Sequence, residues 1–428
     1  MGDKAEKRES FHIADPGKAA RSASGIPIVP VFDGYRAFAI AGVVVLHLLI
    51  LSGVVTTSDS GPLARLVWGT VGHAVDILFV VSGFVVFLPT VAKHGRFGGV
   101  TSYAIRRAAR LLPAYWAVLL ITYLLIALTT VSPDIATPSF RDLGLHLAGL
   151  QVPAGIFLSD ISTGFGVNPP LWTLSAEIGF YVVLPFVAAV YFRHPLAGLA
   201  AAALLTVGWN WSFEHLNRFD TAFGLDLTDA EMFRQALNST LQFPSWAYSF
   251  ALGMTGAWAY VKYREKAATP RGRTVVNRLL AFALAGFAVF AFLAGNYAGD
   301  AEVNLVAQFS RFSPEIALGY SGFLALCMVM LALRPGRIQR PFAARRVRAL
   351  GDISYGIYLS HMVIAFYLGA AFSPPRDGSP RALAIWTLAV VPAAVLYGYL
   401  SARFLEQPIR RWARKYGTGR ELRRSGNP

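Results

Sequence analysis

Asp33-Gly34-Tyr35-Arg36-Ala37-Phe38-Ala39-Ile40-Ala41-Gly42-Val43-Val44-Val45-Leu46-His47 decides how this chain folds. An arginine and a histidine stand eleven residues apart in an otherwise apolar run. At ~100° per residue, eleven steps return a helix to within ~20° of its starting direction. The two side chains then face the same way, ~16 Å apart along the axis. Such a helix crosses a bilayer with a cation near one surface and an imidazole deep inside.

The rest of the 428 residues fits around that helix as further spans. The chain is 55% hydrophobic and 15% charged, with a mean hydropathy of +0.48. A soluble protein of this length carries more charge and shorter apolar runs. Ten runs approach or exceed the ~20 residues that a spanning helix needs. They cover about 33–55, 72–92, 111–131, 171–192, 195–213, 244–262, 278–298, 314–334, 353–373 and 383–405. The expected fold class is therefore all-α, a polytopic membrane protein of about ten transmembrane helices. Residues 141–158 are apolar but shorter and hold Pro153, which suits an interfacial or re-entrant piece. Residues 1–30 form a polar, basic tail with no apolar signal-peptide core, 31–411 the membrane domain, and 412–428 a basic C-terminal tail.

The net charge of +15 raises a nucleic-acid reading, which the distribution opposes, because the basic residues form short clusters with no continuous stripe. Counted over alternating segments between the ten runs, 31 lysines and arginines fall on the side of the N-terminus and 7 on the other. The positive-inside rule then puts both termini in the cytoplasm, in a multi-pass protein of the cytoplasmic membrane. The single cysteine, Cys327, allows neither an intrachain disulfide nor a cysteine-based zinc site, and no metal is expected.

An ionisable residue at the centre of a span costs ~2.5–3.5 kcal/mol, so each one asks for a reason. His47, Asp76 and Glu177 reach similar depths if the second and fourth spans descend from the outer surface. They read as a base with orienting carboxylates, or as three separate interhelical hydrogen bonds. Arg106, Arg107 and Arg110 precede Leu111-Leu112-Pro113-Ala114-Tyr115-Trp116, and Arg107 and Arg110 share a helix face. They are positive-inside charge or forked donors for phosphate, and Arg36 is a snorkelling cation at the same level. A cytoplasmic phosphate site joined to a deep histidine suits a ligand with a charged head and a long reactive arm, as acyl-coenzyme A has. Tyr358 and His361 share one helix face near the start of the ninth span, where a histidine can also serve packing alone.

These residues resemble the integral-membrane acyltransferase-three family, whose members O-acylate sugars, lipids and other small acceptors. The likeness begins with Arg36, ten residues, then His47. It continues through Asp76-Ile77-Leu78-Phe79-Val80-Val81-Ser82-Gly83-Phe84 and Arg107-Ala108-Ala109-Arg110 before Pro113-Ala114-Tyr115-Trp116. Leu171-Trp172-Thr173-Leu174-Ser175-Ala176-Glu177-Ile178-Gly179-Phe180-Tyr181 follows. Ser354-Tyr355-Gly356-Ile357-Tyr358-Leu359-Ser360-His361 is similar to a late family segment, with Ser360 in place of the usual tryptophan. Glu406-Gln407-Pro408-Ile409-Arg410 resembles the closing one.

The resemblance implies a ten-helix core; no extracellular esterase-like domain, which some members add, is expected here. It implies acyl-coenzyme A as donor, with acetyl the group the family often uses, and no metal. The acceptor would be a hydroxyl of a sugar, glycolipid or secondary metabolite at the outer side, as in modification of cell-envelope polysaccharide. His47 would act as general base or transient acyl carrier, oriented by Asp76 or Glu177. Arg36, Arg107 and Arg110 would hold the coenzyme A phosphates. Ser175, Trp172, Tyr358 and His361 would touch substrate. The rival is a transporter or flippase without chemistry, which also places ionisable residues in spans, though no internal repeat supports it. The His-x-x-x-x-Asp pattern from His215 to Asp220 lies in an outside loop, away from coenzyme A.

Overall fold

A computed structural model describes residues 29–54, 61–129, 138–158, 168–300 and 314–413, so nearly all of both expected tails lies outside the described residues. Every regular element among the described residues is helical. In order these are α1 (Val31–Leu51), α2 (Pro62–Gly72), α3 (Ala74–Ala92), α4 (Val100–Leu128), α5 (Phe140–Leu147), α6 (Gln151–Phe157), α7 (Trp172–Arg193) and α8 (Pro195–Glu214). Then follow α9 (Leu216–Phe223), α10 (Asp229–Thr240), α11 (Phe243–Ala267), α12 (Pro270–Asp300), α13 (Pro314–Leu333), α14 (Arg340–Ala343), α15 (Arg345–Phe372) and α16 (Pro380–Ser401). A π-helical turn, Ala402–Glu406, continues α16.

Among the described residues, nine helical stretches are long and apolar enough to cross a membrane. α11 has the length, at 25 residues, but mixes serine, tyrosine, tryptophan and glycine into its apolar run. Its polarity is used on neighbours, since it packs between α3, α7, α8 and α13. Ser245 donates to Asn210 of α8 (2.5 Å), and the Trp246 ring lies 4.8 Å from that of Phe79 on α3. Helices that meet lipid show the opposite pattern: Phe186 of α7 is 80% exposed and Leu204 of α8 74% exposed. Large apolar side chains turned outward on this scale suit a hydrocarbon solvent.

The directions of packed helices agree with ten alternating crossings, α2 and α3 together making the second. Spans of like parity run parallel: α1 with α15, where Asp33 meets Gly351 and His47 meets His361. α3 likewise runs with α11, pairing Asp76 with Ser249 and Phe84 with Tyr260. Spans of unlike parity run antiparallel, as α2 does with α12, where Gly69 meets Ala291 and Arg65 meets Asn296. Close crossings depend on missing side chains. A Cβ on Gly83 would collide with the Phe250 carbonyl, and one on Gly253 with the Val80 carbonyl. Membrane helices lack a hydrophobic drive towards each other and rely on such close backbone approach.

Several helices extend past the apolar runs into charged sequence. α4 begins at Val100, so Arg106, Arg107 and Arg110 lie within its first three turns, and α15 begins at Arg345. The second crossing starts at Pro62 and breaks at His73, which caps both α2 and α3. The short piece at 141–158 is two small helices, α5 and α6, lodged beside α4, α7 and α10.

Candidate active site

Arg36 of α1 and Arg107 and Arg110 of α4 line one cavity, at the end of the bundle where α1 and α15 begin. Arg36 lies 3.5 Å from Asp33, its neighbour one turn back. The Arg107 guanidinium sits 5.6 Å over the Tyr181 ring, and its Nε is buried without a hydrogen-bond partner. The Arg110 guanidinium sits 5.9 Å over the Tyr355 ring and 3.9 Å from Glu406. Glu177 is the carboxylate in this wall, and its Oε1 accepts from Ser82 (2.8 Å) and Tyr181 (2.5 Å). Three guanidiniums line the cavity beside Glu177, with Asp33 and Glu406 set against two of them; forked donors so gathered are a setting for phosphate or another multivalent anion.

Farther along α1, His47 Nδ1 lies 3.0 Å from His361 Nε2 of α15. His361 is 1% exposed, and its Nδ1 lies 2.7 Å from the Tyr358 carbonyl oxygen. Neither imidazole lines the arginine cavity, but Tyr358 does, and its ring is 5.9 Å from that of His361. The Tyr358 hydroxyl is held by Thr173 (2.9 Å) and the Pro170 carbonyl (3.0 Å). Tyr358 thus connects the charged cavity to the paired histidines.

The expected carboxylate partner of His47 is replaced by a second imidazole. Asp76 is buried in the first turn of α3, just after the break at His73. Its Oδ1 accepts from Ser249 of α11 (2.8 Å) and Ser321 of α13 (2.7 Å), and its Oδ2 lies 3.9 Å from His73. The helix N-terminus favours a negative charge there. Asp76 ties three helices together, and Glu177 faces the arginines. Similar depth in the sequence did not specify which neighbours each would meet.

Two further expected residues lie outside the cavity. Ser175 donates to the Gly149 carbonyl (3.0 Å), fastening α7 to the α5–α6 connection. Trp172 packs 5.5 Å from Trp246 and 6.2 Å from Phe79. Sequence reasoning gave no role to Ser82, Tyr181 or Glu406. The i,i+4 spacing of Glu177 and Tyr181 was a readable signal for one of them. Glu406 is 1% exposed, because the π-helical turn directs it inward, where Ser401 donates to it (3.2 Å). Among the described residues, no group of three or more histidine, cysteine or acidic side chains could hold a metal ion.

Residues 29–403 match a family profile described as an acyltransferase domain, the third of that name. Among curated proteins, Nodulation protein 10 of Rhizobium leguminosarum is 24% identical over 298 residues, covering 68% of this chain and 71% of that one. Acyltransferase MdmB of Streptomyces mycarofaciens is 24% identical over 364 residues, 79% of this chain and 80% of its own. Peptidoglycan O-acetyltransferase OatA of Listeria monocytogenes is 23% identical over 406 residues, 90% of this chain but 56% of its own. The chain thus spans little more than half of that last relative. No solved structure matches it.

Proposed function

The chain belongs to the acyltransferase-three family, as the match over residues 29–403 shows, and from that premise we propose that it carries an acyl group from coenzyme A to a hydroxyl of a carbohydrate-type acceptor. The observation that carries this reading is the convergence of Arg36, Arg107 and Arg110 on one cavity, with Tyr358 leading from it to His47 and His361. Coenzyme A is a cluster of phosphates on a long arm that ends in a thioester. The guanidiniums suit the phosphates, and the arm suits the distance to His47. Acetyl is the favoured acyl group and a sugar the favoured acceptor, because the Listeria relative bears the name of a peptidoglycan O-acetyltransferase.

His47 takes the proton of the acceptor hydroxyl as its oxygen attacks the thioester carbon. The new carbon–oxygen bond forms and the carbon–sulfur bond breaks. The thiolate leaves with the proton that His47 had taken, which restores the neutral imidazole. Glu177 holds Tyr181 and Ser82 in the wall behind the arginines, and Asp76 keeps α3, α11 and α13 in register. The donor enters from the cytoplasm, and the acceptor hydroxyl arrives from the outer side.

The test is acyl transfer by the purified full chain in lipid discs, with labelled acetyl-coenzyme A and a panel of glycan acceptors. The wild type should form an O-acetyl ester. His47→Ala, folded and inserted normally, should lose at least about 100-fold in turnover, the low end of what a general base supplies. Undiminished ester formation by His47→Ala would remove the base from the reaction.

A further inference from the structure

We propose that His361 is a positioning residue that sets the tautomer of His47 and so decides which of its nitrogens can act as a base. This rests on His47 being the base. A carbonyl oxygen only accepts hydrogen bonds, and the one on Tyr358 lies 2.7 Å from His361 Nδ1. His361 Nδ1 therefore carries the hydrogen, and a second backbone carbonyl, that of Ile357 at 3.3 Å, favours the same assignment.

In a neutral imidazole with a hydrogen on Nδ1, the other nitrogen bears a lone pair. That nitrogen, His361 Nε2, lies 3.0 Å from His47 Nδ1. The contact is a hydrogen bond only if His47 Nδ1 donates. His47 Nε2 is then left with its lone pair free to take a proton. Carbonyl, His361 and His47 form one directed line, and the Val43 carbonyl, one turn back on α1, is a second hydrogen-bond partner of the His47 ring.

In a triad that uses a carboxylate, the third group fixes the tautomer and supplies a negative charge. Here a backbone carbonyl ends the line, and neither ring has a carboxylate hydrogen-bond partner among the described residues. When the acceptor proton reaches His47 Nε2, the ring becomes an imidazolium with hydrogens on both nitrogens. His361 Nε2 continues to accept from Nδ1 and takes part of the positive charge. The proton then passes from His47 Nε2 to the departing thiolate, and the line returns to its starting state. The geometry is held from both sides: His361 is 1% exposed, and α1 and α15 meet closely where Gly351 abuts the Asp33 backbone.

The experiment reads the tautomer directly. Full-length protein carrying 15N-histidine in lipid discs is examined by NMR, with the His47 signals assigned by their loss in His47→Gln. The resting wild type should show hydrogen on Nδ1 and a bare Nε2. His361→Leu should lose that preference and lower kcat by about 100-fold, with the KM for donor within about two-fold, since the phosphate site is untouched. Gln places an amide oxygen near the position of Nε2, whereas Asn places its amide near Nδ1. His361→Gln should therefore recover most of the lost kcat and His361→Asn should not. A purely packing role would not order the variants in this way. A resting His47 with its hydrogen on Nε2 would overturn the proposal, as would unchanged kcat in folded His361→Leu. Full turnover in His47→Ala would remove the base while leaving the tautomer result intact, so the two failures are distinguishable.

Discussion

At the scale of single residues, the arginines make the sharpest claim. Arg107 and Arg110 sit on one face of α4 and reach the same cavity, each stacked over a tyrosine. A hydrogen bond to a charged group is worth ~1.5–3 kcal/mol. Arg107→Ala or Arg110→Ala should therefore weaken coenzyme A binding by about 10- to 100-fold. Lysine should restore only part of this, because it lacks the planar fork. Isothermal titration in detergent checks both, and an unchanged dissociation constant would take the phosphate role away. The alignment of Arg36 with His47 was legible in the sequence, since eleven residues on a helix fix a direction whatever surrounds it. The partner of His47 was not legible. It lies 314 residues away on α15, and lateral packing, which span depth does not encode, brings it there. The same gap misassigned Asp76, whose hydroxyl partners come from α11 and α13.

At the scale of elements, the chain's polarity misleads where helices meet one another instead of lipid. α11 is less apolar than the other crossings because it lies among several of them, α3, α8, α13 and α7 foremost. Its contact with α3 works through paired glycines, which sets a test with opposite signs. Gly83→Ala would press a methyl group into the Phe250 carbonyl. Backbone yields little, so the variant should lose ~1–3 kcal/mol or more of stability. Gly208 of α8 has nothing within 4 Å of an added Cβ. Gly208→Ala should be neutral or gain up to ~1 kcal/mol from helix propensity. Thermal unfolding in detergent separates the two, and equal midpoints would show that α3 and α11 do not cross there. The π-helical turn at Ala402–Glu406 is the element least visible in advance. A carboxylate at a span end reads as solvated, and the extra residue in the turn rotates Glu406 towards Arg110.

At the scale of the whole molecule, the proposed transfer depends on which end of the bundle faces the donor. Parallel and antiparallel pairings fix the ends relative to one another. Lys93 closes α3, and Asp229 opens α10 just ahead of α11; since α3 and α11 run parallel, these two exposed residues sit at opposite ends. The arginine cavity belongs to the end that carries Lys93, because Arg107 and Arg110 lie in the first turns of α4, directly after that connection. By the positive-inside rule, the excess of 31 basic residues against 7 predicts that this end faces the cytoplasm. The chain lends itself to the measurement, since replacing its one cysteine, Cys327, with serine leaves a thiol-free background. In that background, Asp229→Cys should react with a membrane-impermeant maleimide on intact cells. Lys93→Cys should react only after the membrane is permeabilised. The reverse pattern would place the three guanidiniums on the outer side, beyond reach of cytoplasmic coenzyme A, and the donor would have to be a different anion delivered from outside.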